Sequence, residues 1–420
     1  MKKEPHIKST TEIRPIFDPQ SFGLSEAEAR LVKLARDVSN DHFAARAPAF
    51  DESGKFPSEN FSDLATHGLL GACVPESEGG LGANFRTYMM MGAEVGRACG
   101  STALTWNMHV SSTLWTGEII NELRLTPEQL EEHARRRQRH SERIVRDGAV
   151  YSQPGSEANK SATGEVLFST KAKKVEGGWM INGKKIFASL AGNADYYGVL
   201  CCEEKENPQL RDTMYIAVPA SADGVSVSGA WDTLGMRGTN SLNLHFNDVF
   251  VSEEEQLLPT GVYQQAAMRW PHMFLTLSAT YIGLAQGAFD FTVGYLRGEI
   301  PGAPKGRRES ATKQLSVAEM RFQLEQTKAL WFQAISEARV DPSKEERLRA
   351  LAAQHSAMEG ANQSCQKAIK TCGGHSLFRS FPLERMYRDS RCGSTMLPWS
   401  AERCLEMAGH ETLYEFGETD

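Results

Sequence analysis

No C-x-x-C pair occurs among the eight cysteines of this 420-residue chain, so neither a zinc ribbon nor a thioredoxin-type redox motif is available. Cys201-Cys202 is the one close pair, and thiols scattered in this way read as reduced, buried side chains of a cytoplasmic protein. No run approaches the roughly 18 apolar residues of a membrane span. The opening MKKEPHIKSTTEIRPIF carries lysines with no apolar stretch behind them, so a secretory signal is not expected. Cationic excess is missing too: 46 Lys and Arg face 53 Asp and Glu, a balance that argues against a nucleic-acid or anionic-membrane binder.

The familiar catalytic words are also absent. There is no G-x-G-x-x-G for a Rossmann site, no H-E-x-x-H and no G-x-S-x-G. Gly178-x-x-x-x-Gly183-Lys184-Lys185 imitates a phosphate loop, but it lacks the Ser/Thr that would ligate Mg²⁺ and lies across an expected hairpin rather than between strand and helix. The eleven histidines are dispersed, and His109, His272 and His375 are the ones in apolar or glycine-rich settings. No metal site is expected.

What is present is one stretch of sheet in a helical chain. From Ala149 to Glu253, Val, Phe, Tyr, Trp and Thr alternate with polar residues, broken at Pro154-Gly155, Gly177-Gly178, Asn182-Gly183 and Asn247-Asp248. Asn182-Gly183 between WMI and KIFAS predicts a type I′ hairpin turn. Before it, Ser25 with Glu28 predicts a capped helix, and Thr126-Pro127 predicts another, with acidic residues first and arginines later. The Arg135 to Arg139 run in that helix reads as a solvated face. After it, TLSATYIGLAQGAFDFTVGYL is apolar around most of its circumference, two long helices meet at Asp341-Pro342, and Pro382 and Trp399 open two short ones. The expected division is an arm (1–20), an N-terminal helical domain (21–148), a middle β domain (149–258) and a C-terminal helical bundle (259–420).

Six words in this order resemble the acyl-CoA dehydrogenase superfamily, over about residues 24 to 413. They are FPSENFSDLATHGLLGACVPESEGGLG, Tyr151-Ser152-Gln153-Pro154-Gly155-Ser156-Glu157, Asn182 to Ser189, Leu234-Gly235-Met236-Arg237-Gly238-Thr239, Cys372-Gly373-Gly374, and Pro382-Leu383-Glu384-Arg385 with Arg388-Asp389. The resemblance implies a mostly helical fold with a central β-barrel-like domain and a C-terminal four-helix bundle, and FAD as cofactor, with FMN the alternative. It implies that Ser152 bonds the pyrimidine edge, Phe187 lies against the flavin ring, Ser189 sits near N5 and Ser156 meets the pyrophosphate. Lys370, Gly373 and Gly374 would reach the cofactor of a neighbouring subunit, in a homodimer or homotetramer.

The chain departs from that family at its catalytic word. Pro398 stands where the catalytic Glu is expected, with Trp399 for the following Gly and Ser400, a further cofactor contact, for the Thr. The alternative Glu of some members aligns with Met273, beside Phe274. The expectation is oxidation of a CH–CH bond of an acyl thioester or related small molecule by a non-standard base, with Glu402, Glu157 and His375 as the candidates. Electrons would pass to an electron-transfer flavoprotein. The alternative is a reduced-flavin-dependent monooxygenase of the same fold, served by a flavin reductase. A second alternative is a non-catalytic binding module. Because proton removal beside a thioester needs a positioned base, the wall around Pro398 decides between the first two.

Overall fold

The computed structural model describes residues 13–158, 166–414 and 418. The N-terminal part is helical: α1 (Glu26–Val38), α2 (Ala44–Ser53), α3 (Ser58–Thr66), α4 (Phe85–Ala98), α5 (Gly100–Trp115) and α6 (Pro127–Asp147). Ser25 and Thr126 each cap their helix reciprocally with the residue three positions on, Glu28 and Gln129. Residues 13–20 do not form a loose arm. Phe17 is fully buried, its ring centroid 5.2 Å from that of Phe22 and 5.5 Å from that of Trp331, and the Ile16 N–H donates to Glu94. The rest of the expected arm, residues 1–12, lies outside the described residues. The α6 arginines are spent on ion pairs: Arg135 with Glu254, Arg136 with Glu132, Arg137 with Glu78, and Arg139 with Glu255.

The sheet comprises β1 (Tyr151–Ser152), β2 (Lys171–Val175), β3 (Gly178–Ala188), β4 (Tyr196–Glu203), β5 (Thr213–Pro219), β6 (Val225–Ser228), β7 (Leu242–Ser252) and β8 (Gln256–Leu258). Its order is β6-β7-β3-β2-β4-β5-β8, with β1 added in parallel to β4. The hairpin expected at Asn182-Gly183 is one turn too late. Strand β3 runs straight through that dipeptide, and the turn is Glu176-Gly177, since Val175 pairs with Gly178. Asn182-Gly183 marks a register shift against β7 instead, where the Asn182 amide exchanges two hydrogen bonds with Asp248. A Cβ on Gly183 would lie 2.5 Å from Thr170 Oγ1, so glycine is there for close packing.

After the sheet come α7 (Val262–Arg269), a 3₁₀ stretch (Pro271–Leu277), α8 (Ser278–Arg297), α9 (Ala311–Ser336), α10 (Lys344–Cys372), α11 (Leu383–Gly393) and α12 (Ala401–Leu413). The apolar α8 is buried along nearly its whole length, packed against α4 on one side and α9, α10 and α11 on the other. The sheet and both helical blocks share one apolar core. No helix among the described residues is long and apolar enough to cross a membrane.

Candidate active site

A cavity of about 590 Å³ opens where the sheet faces the helices. One wall comes from the β domain: Gln153, Gly155 and Ser156 after β1, Phe187 and Ser189 at the end of β3, and Trp231 to Ser241 before β7. The opposite wall is helical: Leu104, Met108, Ser111 and Trp115 of α5, Met273 to Leu277, and Arg391 to Pro398.

The β wall is held from behind by an ion pair with no access to water. Lys185 Nζ lies 2.9 Å from Glu157 Oε1 and 2.5 Å from the Leu200 carbonyl oxygen, over the face of Phe168. Glu157 also accepts the N–H groups of Ser169 and Thr170. Burial alone would raise the Glu157 carboxyl, but the Lys185 ammonium and the Thr170 bonds outweigh it and hold it at about 2. The pair thereby ties the segment before Glu157 to β3, and the Ile186 N–H donates to the Ser156 carbonyl.

Beyond Lys185 the β3 register against β7 shifts, and Phe187 takes a left-handed φ of +50°. That kink turns its ring out of the sheet to 65% exposure, edge-on to Trp231 at 6.2 Å. Non-glycine residues rarely adopt this φ, and such outliers persist where the surroundings over-determine them.

Next along the chain, Ser189 Oγ is 2.8 Å from Ser241 Oγ, which is 2.8 Å from Thr239 Oγ1; Thr239 donates to the Met236 carbonyl at 3.0 Å. That carbonyl also receives the Trp231 indole N–H. The loop rests on α11: a Cβ on Gly235 would sit 2.3 Å from the Arg388 carbonyl oxygen, and the Met236 N–H donates to Asp389. Arg388 donates to the Leu234 carbonyl while pairing with Asp51 and Glu384. Two words far apart in sequence, LGMRG and RD, thus form one joint.

The helical wall is apolar and sulfur-rich. Met108, Met273, Phe274, Met396, Leu397 and Pro398 face the cavity, and burial pushes the Cys392 thiol up to about 11. Among the described residues no Asp, Glu, His, Lys or Tyr lines the cavity. Its charged side chain is Arg391, 3.8 Å from Glu359.

Of the residues singled out from sequence, Ser156, Phe187 and Ser189 line the cavity together. Ser152 does not: it is fully buried and its hydroxyl donates to the Ser189 carbonyl at 2.6 Å, so it supports the wall from behind. Ser400 caps α12 by accepting the Arg403 N–H, outside the lining. Glu402, in the first turn of α12, is exposed and not in the lining. His375 is exposed, its Nδ1 3.1 Å from the Tyr295 hydroxyl, and it too is outside. Lys370, Gly373 and Gly374 stand at the C-terminal end of α10, also apart from the cavity.

Sequence reasoning missed Gln153, a residue 7% exposed that lines the cavity and whose amide oxygen and nitrogen, closed off from solvent, have no hydrogen-bond partner within the chain. Strand alternation could have pointed to it, because Ser152 and Gln153 must face opposite sides. A buried amide with both atoms unpaired is costly unless a ligand completes it. The pyrimidine rim of a flavin, with carbonyl acceptors alternating with an N–H donor, is complementary to an amide that offers one donor and one acceptor. The residues present therefore fit that group, with Phe187 and Trp231 offering aromatic surface and Ser189 a hydroxyl.

Three family models match successive parts of the chain. The acyl-CoA dehydrogenase N-terminal domain model matches residues 25–121, the middle domain 153–249 and the C-terminal domain 275–395. A probable acyl-CoA dehydrogenase of Bacillus subtilis, YngJ, is 25% identical over 88% of this chain and 94% of its own. The L-evernosamine nitrososynthase of a Micromonospora species is 30% identical over 97% of this chain and 95% of its own. In three dimensions, the dibenzothiophene monooxygenase TdsC of Paenibacillus superposes with a TM-score of 0.73 at 20% identity, covering 90% of this chain and 96% of that one. TdsC has also been solved with FMN bound. With three domain models in register along the chain and a relative matched almost end to end, this protein belongs to the acyl-CoA dehydrogenase family of flavoenzymes.

Proposed function

We propose that this family member is a reduced-flavin-dependent monooxygenase. The reading rests on one observation: among the described residues, no side chain lining the cavity that fits the flavin can take an α-proton at neutral pH. A thiol held at about 11 is protonated there, and an arginine stays charged. Dehydrogenation of a thioester needs a base within hydrogen-bond reach, and Glu402 and His375 stand outside the lining.

When bound, the reduced flavin would supply the electrons that activate O₂. The chain's own residues would do the rest. Gln153 would hold the pyrimidine rim and Ser189 the ring's central edge, while Phe187 and Trp231 would cover the ring. Met108, Met273, Phe274, Met396 and Pro398 would keep water away from the oxygen chemistry. The same wall suits a largely apolar substrate, since among the described residues Arg391 is the one charged side chain in an otherwise mostly apolar lining. FMN and FAD both fit this reading, and a separate flavin reductase would be the electron-donating partner. The half-buried Gly373, the exposed Gly374 and the exposed Lys370 agree with a homodimer or homotetramer, and eight cysteines in no disulfide agree with a cytoplasmic setting.

An anaerobic titration tests the proposal. Protein reconstituted with oxidised FMN or FAD should keep its absorbance when short-, medium- and long-chain acyl-CoAs are added. Bleaching by any of them would establish dehydrogenation and overturn the proposal. Flavin reductase with NAD(P)H should then drive oxygen consumption that changes with apolar substrates.

A further inference from the structure

The hydroxyl chain from Ser189 to Met236 has a direction. The Met236 carbonyl oxygen can only accept, so the single hydroxyl hydrogen of Thr239 is committed to it at 3.0 Å. Thr239 Oγ1 must then accept at 2.8 Å from Ser241, which commits the Ser241 hydrogen. Ser241 Oγ must in turn accept at 2.8 Å from Ser189. Reversing the chain would sacrifice the Thr239 bond and set two oxygen lone pairs against each other at that 3.0 Å contact. Met236 cannot readily shift to relieve this, because its N–H is anchored on the buried Asp389 carboxylate and its carbonyl also holds the Trp231 indole.

Ser189 therefore reaches the cavity with lone pairs and no hydrogen. We infer that the Ser189–Ser241–Thr239 chain makes this site select reduced over oxidised flavin, by offering an acceptor where only the reduced ring offers a donor. Oxidised isoalloxazine has a bare acceptor at N5, which would meet the Ser189 oxygen lone pair to lone pair. The reduced ring carries N5–H, which would donate to it. The inference rests on the flavin reading above and on Ser189 facing that edge of the ring. It makes Thr239 and Ser241 positioning residues that act through Ser189. It also suits a protein that receives flavin already reduced.

The test compares anaerobic dissociation constants of reduced and oxidised FMN and FAD, with the two-electron midpoint potential of the bound flavin measured by dye equilibration. Wild-type protein is expected to bind the reduced form about tenfold tighter, equivalent to a midpoint raised by about 30 mV over free flavin. Thr239→Val removes the anchor and frees the chain to reverse, so the ratio should fall toward one. Thr239→Ser keeps the hydroxyl and should restore the ratio, which a merely structural role for Thr239 would not require. Ser189→Ala, at the cavity end of the hydroxyl chain, should lose the preference without depending on Thr239. Tighter binding of the oxidised form by wild type, or an unchanged ratio in both Thr239→Val and Ser189→Ala, would overturn the inference and leave the monooxygenase proposal standing. Failure to bind either redox form would remove the flavin reading itself, and this inference with it.

Discussion

Lys185 Nζ and Glu157 Oε1 meet at 2.9 Å with side chains 0% and 3% exposed, directly behind the strand that presents Phe187 and Ser189. Each charge is buried because the other is. Lys185→Met should therefore cost about 3–5 kcal/mol, the range for stranding one member of a buried pair. Lys185→Met with Glu157→Gln should recover much of that loss, because Gln still accepts from Ser169 and Thr170 without carrying charge. Urea midpoints of the singles and the double make the measurement, and strictly additive losses would contradict a coupled pair.

The same pair predicts a pH dependence. Burial works to raise the Glu157 carboxyl, yet Lys185 and the Thr170 bonds hold it at about 2, below its ordinary value of 4.5. A carboxylate depressed in the folded state adds stability that is present above pH 4.5 and is lost as pH falls through about 2. By linkage this amounts to roughly 3 kcal/mol. The stability gap between wild type and Glu157→Gln should narrow as unfolding is measured from pH 6 down to pH 3.

Gln153 offers a separate handle on the cofactor. Gln153→Leu removes a buried amide with no hydrogen-bond partner within the chain, so folding stability should hold or rise. Flavin affinity should fall about tenfold, the equivalent of roughly 1.4 kcal/mol of lost hydrogen bonding. Flavin fluorescence titration and thermal unfolding, done together, separate the two effects.

Glu402→Gln should change little. The side chain is exposed on α12 and lines no part of the cavity, so stability should stay within about 0.5 kcal/mol and oxygen consumption with reduced flavin should be unchanged. A large loss of turnover would return Glu402 to the list of reacting groups.

Much of this architecture was legible in local chemistry. Ser25 with Glu28, Thr126 with Pro127, and the all-round apolar run of α8 place helices within a few residues of where they lie. The errors share one cause. Asn182-Gly183 has hairpin chemistry, but Glu176-Gly177 makes the turn, because the pairing of β3 with β7 continues across Asn182 and a bulge absorbs the glycine. Ser152 supports the cavity wall from behind while Gln153 lines it, and alternation gives two faces without saying which one meets the cavity. Phe17 sits in the core although nothing periodic surrounds it, since its burial depends on Trp331 some three hundred residues later.

The sequence by itself determined the family, the order of helix and sheet, and the loss of the usual carboxylate, because these rest on residue identity and local spacing: Pro398 cannot take a proton in any fold. Tertiary structure decided what replaces it. Met273 and Pro398 come from separate segments, yet they close one wall, and no spacing rule could show that this wall, among the described residues, lacks a base. The direction of the Ser189–Ser241–Thr239 chain is likewise a property of assembly, set by a carbonyl oxygen that reaches those hydroxyls only after Gly235 has packed against Arg388 and Asp389 has taken the Met236 N–H.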